Sequence, residues 1–342
     1  MCFVPQETSQ AAYRPAETGK GDKMTIGVLT SGGDAPGMNA ALRAVVRCAV
    51  VDGMQVKGIR HGYQGILDED IIDLDSLSVA NILTTGGTML KTARCLEFLK
   101  SEVQDQAADI LRKHGIEALV VIGGDGSFRG AAELAQRGIN VMGVPATIDN
   151  DLGCTDYTIG FDTAINTAME AKDKVRDTSA SHERACVIEV MGRSAGYIAL
   201  YCGIGNGVEE MLLPELYDGN EDAIAERMLA TRAKGKNIYM IVSAEGVGDA
   251  SGLAGRLKEK TGIDTKAIIL GHIQRGGSPT CMDRVYASVM GSRAEALIRD
   301  GKRSRVVIYK NGEFGDMDIL DSLMVRKALP NDFLMMSRKL IR

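Results

Sequence analysis

Apolar positions follow two rhythms along the chain. Short, nearly continuous apolar runs alternate with longer stretches in which apolar residues return every three or four positions. The runs IGVLT (26–30), ALVVIGG (118–124), NVMGVP (140–145) and ACVIEVM (185–191) predict strands. So do EMLLPE (210–215), IYMIVSAEG (238–246), AIILGHI (267–273) and RVVIYK (305–310). Strands without polar alternation are buried on both faces, which predicts parallel sheets covered by helices. Between them, Met38, Leu42, Val45, Val46 and Ala49 fall on one helical face, and 97–113 and 161–178 read as helices too. This alternation over the whole length predicts an α/β protein.

Composition narrows the class. With 342 residues, the chain has room for two ordinary domains. A net charge of −5 disfavours a nucleic-acid surface, and the absence of tryptophan disfavours a base-stacking platform. No apolar run approaches the roughly 20 residues that span a bilayer, so no membrane partner is expected. Seven scattered cysteines without a C-x-x-C pattern point to a reducing, cytoplasmic setting. The four histidines have no metal-ligand spacing. Residues 1–23 are polar and aperiodic and lack a signal-peptide core, so a flexible extension is expected there, with Met24 as the native start and KGDK before it as a translated ribosome-binding site.

The candidate chemistry lies in glycine pairs beside the predicted strands: Gly32–Gly33, Gly86–Gly87, Gly123–Gly124 and Gly276–Gly277. Ordinary turns explain any one pair. Four of them near Asp, Thr or Ser suggest phosphate loops at strand ends, where backbone N–H groups can approach an anion. In VVIGGDGSFRGA, Asp125 reads either as a helix cap or as a magnesium carboxylate beside nucleotide phosphates, with Ser127 opening a helix. GGTMLKTAR delivers Arg94, a surface cation or one placed over a transferring phosphoryl group. GVPATIDND sets Asp149 and Asp151 at a strand end, where an Asx turn accounts for one carboxylate better than for two. Arg184, Arg193, Lys266, His272 and Arg275 read singly as solvated charges or a satisfied histidine, and together as a site for a phosphate dianion. Glu245, after another strand, suits sugar hydroxyls.

In this order, GVLTSGGDAPGMNAALRAVVR, GGTMLKTAR, IGGDGS, TIDND, EVMGRSAGY and LGHIQRGGSP resemble the 6-phosphofructokinases, over essentially residues 24–342. The resemblance implies a two-domain phosphofructokinase fold, each domain a mostly parallel sheet sandwiched by helices. The larger, nucleotide-binding domain would comprise 24–160 and 274–323, and the smaller, sugar-phosphate-binding domain 161–273 and 324–342. It implies phosphorylation of fructose 6-phosphate at the 1-hydroxyl, with ATP as co-substrate and Mg2+ as cofactor. Asp149 would be the general base, with Thr147, Ile148 and Asp151 beside it. Asp125 would be the magnesium carboxylate. Gly33, Arg94, Cys95, Gly124, Asp125, Gly126 and Ser127 match nucleotide-contacting positions, and Arg94 also matches the arginine that stabilises the transferring group. Met191, Gly192, Arg193 and Glu245 match sugar contacts. Arg184, Lys266, His272 and Arg275 match the surroundings of the 6-phosphate, with Arg184 and Lys266 reaching in from a neighbouring subunit. That implies a homo-oligomer, commonly a tetramer.

Two positions bear on the donor. Pyrophosphate-dependent relatives typically carry an aspartate in place of the second glycine of GGDG and a lysine before TIDND. Here those residues are Gly126 and Ala146. A further carboxylate about 4 Å from a phosphate costs on the order of 4 kcal/mol at an effective dielectric of 20. ATP is therefore expected over pyrophosphate. Three departures stand against the family pattern. Lys266 replaces the usual arginine and loses its bidentate fork, which predicts weaker sugar binding. MGRSAG differs from the commonest form but keeps Met191 and Arg193. Arg43, Arg47, Arg176, Glu209, Lys234 and Lys236 match a nucleotide-effector site between subunits, yet Ser76 stands where that site has another arginine. The alternatives are a pyrophosphate-dependent enzyme and a catalytically weak regulatory paralogue.

Overall fold

A computed structural model describes residues 23–340. The expected extension up to residue 22, and with it the reading of KGDK as a translated signal, falls almost wholly outside the described residues. Eleven strands are formed among them: β1 (Thr25–Thr30), β2 (Gln55–Ile59), β3 (Ile71–Leu74), β4 (Ala118–Gly123), β5 (Asn140–Pro145), β6 (Ala185–Val190), β7 (Glu210–Leu212), β8 (Tyr239–Ala244), β9 (Thr265–Ile269), β10 (Arg305–Lys310) and β11 (Glu313–Asp318). They make two sheets, ordered β11-β10-β5-β4-β1-β2-β3 and β7-β8-β6-β9.

The central strands β1, β4 and β5 are buried at every residue because helices cover both faces. The pleat sends alternate side chains to opposite layers. Val120 and Ile122 pack with Met38, Leu42 and Val45 of the helix Met38–Val51 and with Met290 of the helix Cys281–Arg299. Leu119 and Val121 pack instead with Leu111 of the helix Ser101–Lys113 and Phe128 of the helix Asp125–Gln136. All five apolar positions expected on one face of the first helix are buried.

Several boundaries differ from the sequence reading. The large sheet is antiparallel at both edges, β2 with β3 and β10 with β11. β2 and β11 are polar and broken by glycine and β3 is only four residues long, so no continuous apolar run of useful length marks them. AIILGHI holds strand geometry only to Ile269, and Gly271–Arg275 is a 3-10 turn that swings His272 into solvent. EMLLPE is a strand over three residues only. The expected helix over 97–113 begins at Ser101, after a separate 3-10 turn at Leu96–Leu99, and that over 161–178 runs on to His182. Ser127 does not open its helix. Asp125 does, with Gly124 as the cap residue and no side-chain cap.

Both sheets send functional loops from the carboxyl ends of their parallel strands, the place where open α/β sheets bind ligands. The start of each of three loops is held to the end of a neighbouring strand by a backbone bond, Ser31 N–H to Ile122 O (3.0 Å), Ala146 N–H to Gly123 O (2.9 Å) and Leu270 N–H to Glu189 O (3.1 Å).

Candidate active site

After β5 the chain turns rather than starting a helix. The Thr147 hydroxyl accepts the Asp149 N–H (3.2 Å), and the Thr158 hydroxyl donates to the Thr147 carbonyl (2.6 Å). These bonds fix the backbone on both sides of Asp149. Its side chain is 6% exposed, and Oδ1 has no hydrogen-bond partner among the described residues. A buried carboxylate oxygen without a donor is costly to keep, which makes it a candidate for function. Burial raises the Asp149 carboxyl to about 6, helped by the neighbouring Asp151 charge and by Glu245 and opposed by Arg275 and Arg193. Burial also raises Asp151. Ile148 between these groups is wholly buried and anchors the turn to the core.

A cavity of about 350 Å3 opens beside these carboxylates, lined by Asp125, Asp151, Gly153, Arg193, Ser194 and Val325 among others. Asp125 sits in the first turn of its helix and pairs with Arg129 (2.9 Å). The backbone of Gly124, Asp125, Gly126 and Ser127 forms that helix start, so its free N–H groups face the loop cluster. A side chain begun at Gly126 would meet nothing within 4 Å, which leaves open room at this point. Ala146 is buried in the core, 1% exposed, and its methyl does not face this room. The Tyr63 hydroxyl donates to the Ser127 carbonyl beneath the loop, a bond the sequence reading missed.

The segment bearing Arg94 runs along the first glycine loop. The Thr30 hydroxyl donates to the Lys91 carbonyl (2.9 Å), and the Thr92 hydroxyl donates to the Gly32 carbonyl (2.7 Å). Arg94 is exposed and has no partner among the described residues, and Cys95 beside it is a half-buried free thiol. Arg275 lies directly on Gly33. A Cβ there would fall 2.5 Å from its Nη1, and the guanidinium donates to the Asp34 carbonyl (3.1 Å). A predicted phosphate ligand is thus stacked on a predicted nucleotide loop.

From the second sheet come Met191, Gly192 and Arg193. Gly192 and Arg193 have positive φ, and their N–H groups donate to Glu245 Oε1. Glu245 therefore shapes this loop as well as facing the site. Gln274, absent from the sequence reading, is fully buried, and its Oε1 accepts the Met191 N–H (2.8 Å). Its place within GHIQRGG was visible, but nothing in the sequence marked it as buried.

Arg184 and Lys266 do not join this cluster within one chain. Arg184 precedes β6 and Lys266 is second in β9, at the opposite ends of the strands from Met191 and His272. Both pair with Asp264, at 2.9 and 3.3 Å. The candidate effector residues also form two groups. Arg43 and Arg47 lie one turn apart on the first helix, with Nε atoms that are buried and unpartnered. Arg176 donates to the Asn206 and Gly207 carbonyls, Glu209 pairs with Lys236, and Lys234 ends the helix Glu221–Ala233. Beside them Lys172, which the sequence did not single out, is buried and donates to Asn206 O (3.0 Å). A second cavity, of about 310 Å3, lies between β7 and the helix Asn331–Leu340 and holds none of the predicted site residues.

Glycine loops, a helix start and a buried carboxylate converging at strand ends define a phosphotransferase cleft on an α/β scaffold. The phosphofructokinase family model matches residues 25–298, and the chain belongs to this family. It is 54% identical over 308 residues to an ATP-dependent 6-phosphofructokinase of Clostridium botulinum, covering 90% of this chain and 96% of that one. It is also 54% identical to the enzyme of the same name from Clostridium acetobutylicum, covering 89% and 95%. Among solved structures, phosphofructokinase from Saccharomyces cerevisiae superposes with a TM-score of 0.81 at 34% identity. That match covers 93% of this chain, which spans about half (48%) of the yeast chain. A pyrophosphate-dependent phosphofructokinase from Marinobacter aquaeolei has a TM-score of 0.80 at 24% identity, covering 90% and 86%, and shares the fold.

Proposed function

We infer that this chain is an ATP-dependent 6-phosphofructokinase, transferring the γ-phosphoryl group of ATP to the 1-hydroxyl of fructose 6-phosphate to give fructose 1,6-bisphosphate and ADP. The observation that carries the reading is the unpartnered, buried Asp149 Oδ1. A primary alcohol barely ionises at neutral pH, so a carboxylate must take its proton as the new bond to phosphorus forms. A carboxyl raised to about 6 is ionised at pH 7 and is still a stronger base than an ordinary aspartate. Arg94, without a partner among the described residues, is available to the transferring group, and the N–H groups of Gly124 to Ser127 would cradle the donor phosphates.

Asp125 is the carboxylate that would hold Mg2+. Among the described residues no three potential ligand side chains cluster. That donor set suits an ion which keeps its waters and arrives on nucleotide phosphates. Bound there, the ion would supply charge neutralisation. The open room at Gly126 supports ATP as donor. The two sheets would form the cores of the domains 24–160 with 274–323 and 161–273 with 324–342, with the cleft between them. Arg184 and Lys266, turned away from the cleft of their own chain, suit the cleft of a neighbour in a homo-oligomer. The half-formed effector groups likewise suit a subunit boundary.

One coupled assay tests the reading. Turnover of fructose 6-phosphate is expected with ATP and Mg2+, to be lost on chelation and negligible with pyrophosphate. Equal turnover with pyrophosphate would overturn the choice of donor.

A further inference from the structure

Lys327 belongs to none of the motifs above, yet it reaches the reaction loop from behind. It follows the short helix Ile319–Met324, on the segment that returns from the large sheet to the C-terminal helix Asn331–Leu340. Its Nζ donates to Asn150 Oδ1 (2.9 Å) and to the Asp156 carbonyl (3.5 Å), and it sits 5.0 Å above the Tyr197 ring. Three N–H bonds thus meet two acceptors and a π face, a full set for a half-buried ammonium. Tyr197 is held in turn, its hydroxyl donating to the Ala328 carbonyl (2.6 Å). The returning backbone is pressed against the loop, since a Cβ at Gly153 would fall 2.2 Å from the Val325 carbonyl oxygen.

Asn150 stands between Asp149 and Asp151 with φ of 49°, a left-handed conformation that asparagine tolerates better than most residues. Its Nδ2 donates to the Asp156 carbonyl (3.3 Å), and its Oδ1 takes the Lys327 ammonium. Together with the Thr147 and Thr158 bonds, this residue holds the backbone from which both flanking carboxylates project. Even a half-buried cation is a costly way to hold a turn if an apolar side chain would serve. Burial holds the Lys327 ammonium down to about 8, with Asp156, Asp151 and Cys154 favouring its charge and Lys310 opposing it.

We propose that Lys327 is a positioning residue for phosphoryl transfer, acting through Asn150 to set the geometry of Asp149 and Asp151. The proposal rests on the kinase reading above. It needs no contact between Lys327 and either substrate, so it predicts a loss in kcat without a loss in substrate affinity.

The test uses the full chain assayed with ATP, Mg2+ and fructose 6-phosphate. Lys327→Met should lower kcat about tenfold to a hundredfold, the scale of a small misplacement of reacting groups, and leave both KM values within about threefold. Lys327→Arg should recover most of the loss. Lys327 and Asn150 should also be coupled, so that Lys327→Met combined with Asn150→Ala is no slower than the slower single variant. If the methionine variant does not fold, Lys327→Gln, which keeps a donor, replaces it in the same cycle. A wild-type kcat in the variant, a raised KM as the main effect, or additive losses in the cycle would each overturn the proposal. An inactive wild-type chain would instead overturn the kinase reading.

Discussion

Asp149 carries opposite demands on folding and on chemistry. Its carboxyl is raised from an unfolded value near 3.8 to about 6, chiefly by burial. A raised carboxyl stabilises the fold fully below the unfolded value and loses that contribution as pH climbs through the folded one. Ionised Asp149 therefore costs the native state on the order of 3 kcal/mol above pH 6. The proposed general-base role needs this same ionised form. Activity should rise with pH along a limb centred near 6, read from kcat/KM between pH 5 and 8. Asp149→Asn should lower kcat by about 10²–10⁴ while raising the melting temperature at pH 8. A variant that loses activity but is less stable at pH 8 than the wild type would show that burial is not what sets this carboxyl.

At the scale of elements, the loops are held by a buried carboxylate remote from the chemistry. Asp283, in the first turn of the helix Cys281–Arg299, is wholly buried. It accepts the Tyr157 hydroxyl (2.6 Å), the Gly160 N–H (2.7 Å), and both the N–H (2.9 Å) and the hydroxyl of Thr163. It thereby ties the end of the reaction loop and the start of the helix Phe161–His182 to the segment that follows Arg275. Asp283→Ala would strand these donors without a partner, and chemical denaturation should report a loss of roughly 3 kcal/mol or more. A loss below about 1 kcal/mol would show that water replaces the carboxylate. Nothing in CMDRVYA marks Asp283 as buried, because its partners lie some 120 residues away in sequence. The strands that were legible carry mostly apolar runs, including the central ones, where burial on both faces favours apolar residues, and β7 and β9 at the edges of the second sheet. In the large sheet, β2, β3 and β11 at its margins were not legible from apolar runs. The signal for β10 and β11 was present in Asn311–Gly312, which take positive φ and make a two-residue hairpin between Lys310 and Glu313. Asp149 and Asp151 stood out in the sequence as candidate reacting carboxylates because two aspartates at one strand end strain any purely structural reading. Gln274 and Lys327 were not, since only the folded chain brings them against Met191 and Asn150.

For the whole molecule, the placement of Arg184 decides how many chains make one site. Six residues of β6 separate Arg184 from Met191, which puts them roughly 20 Å apart at opposite ends of the sheet. An arginine side chain cannot cover that distance, so under the proposed function only another copy can bring Arg184 to a 6-phosphate held near Met191 and Arg275. If it does, each cleft combines Asp149 of one subunit with Arg184 of the next. Two defective variants, Asp149→Asn and Arg184→Ala, should then complement when their subunits are exchanged. In a mixed pair, the cleft of the Arg184→Ala subunit has its own Asp149 and receives the intact arginine of its partner, while the other cleft lacks both. Random mixing at equal amounts should restore about one quarter of the wild-type sites at low fructose 6-phosphate, well above either parent. Activity equal to the average of the two parents after verified exchange would mean that each chain completes its own site, and Arg184 would then serve only to pair with Asp264.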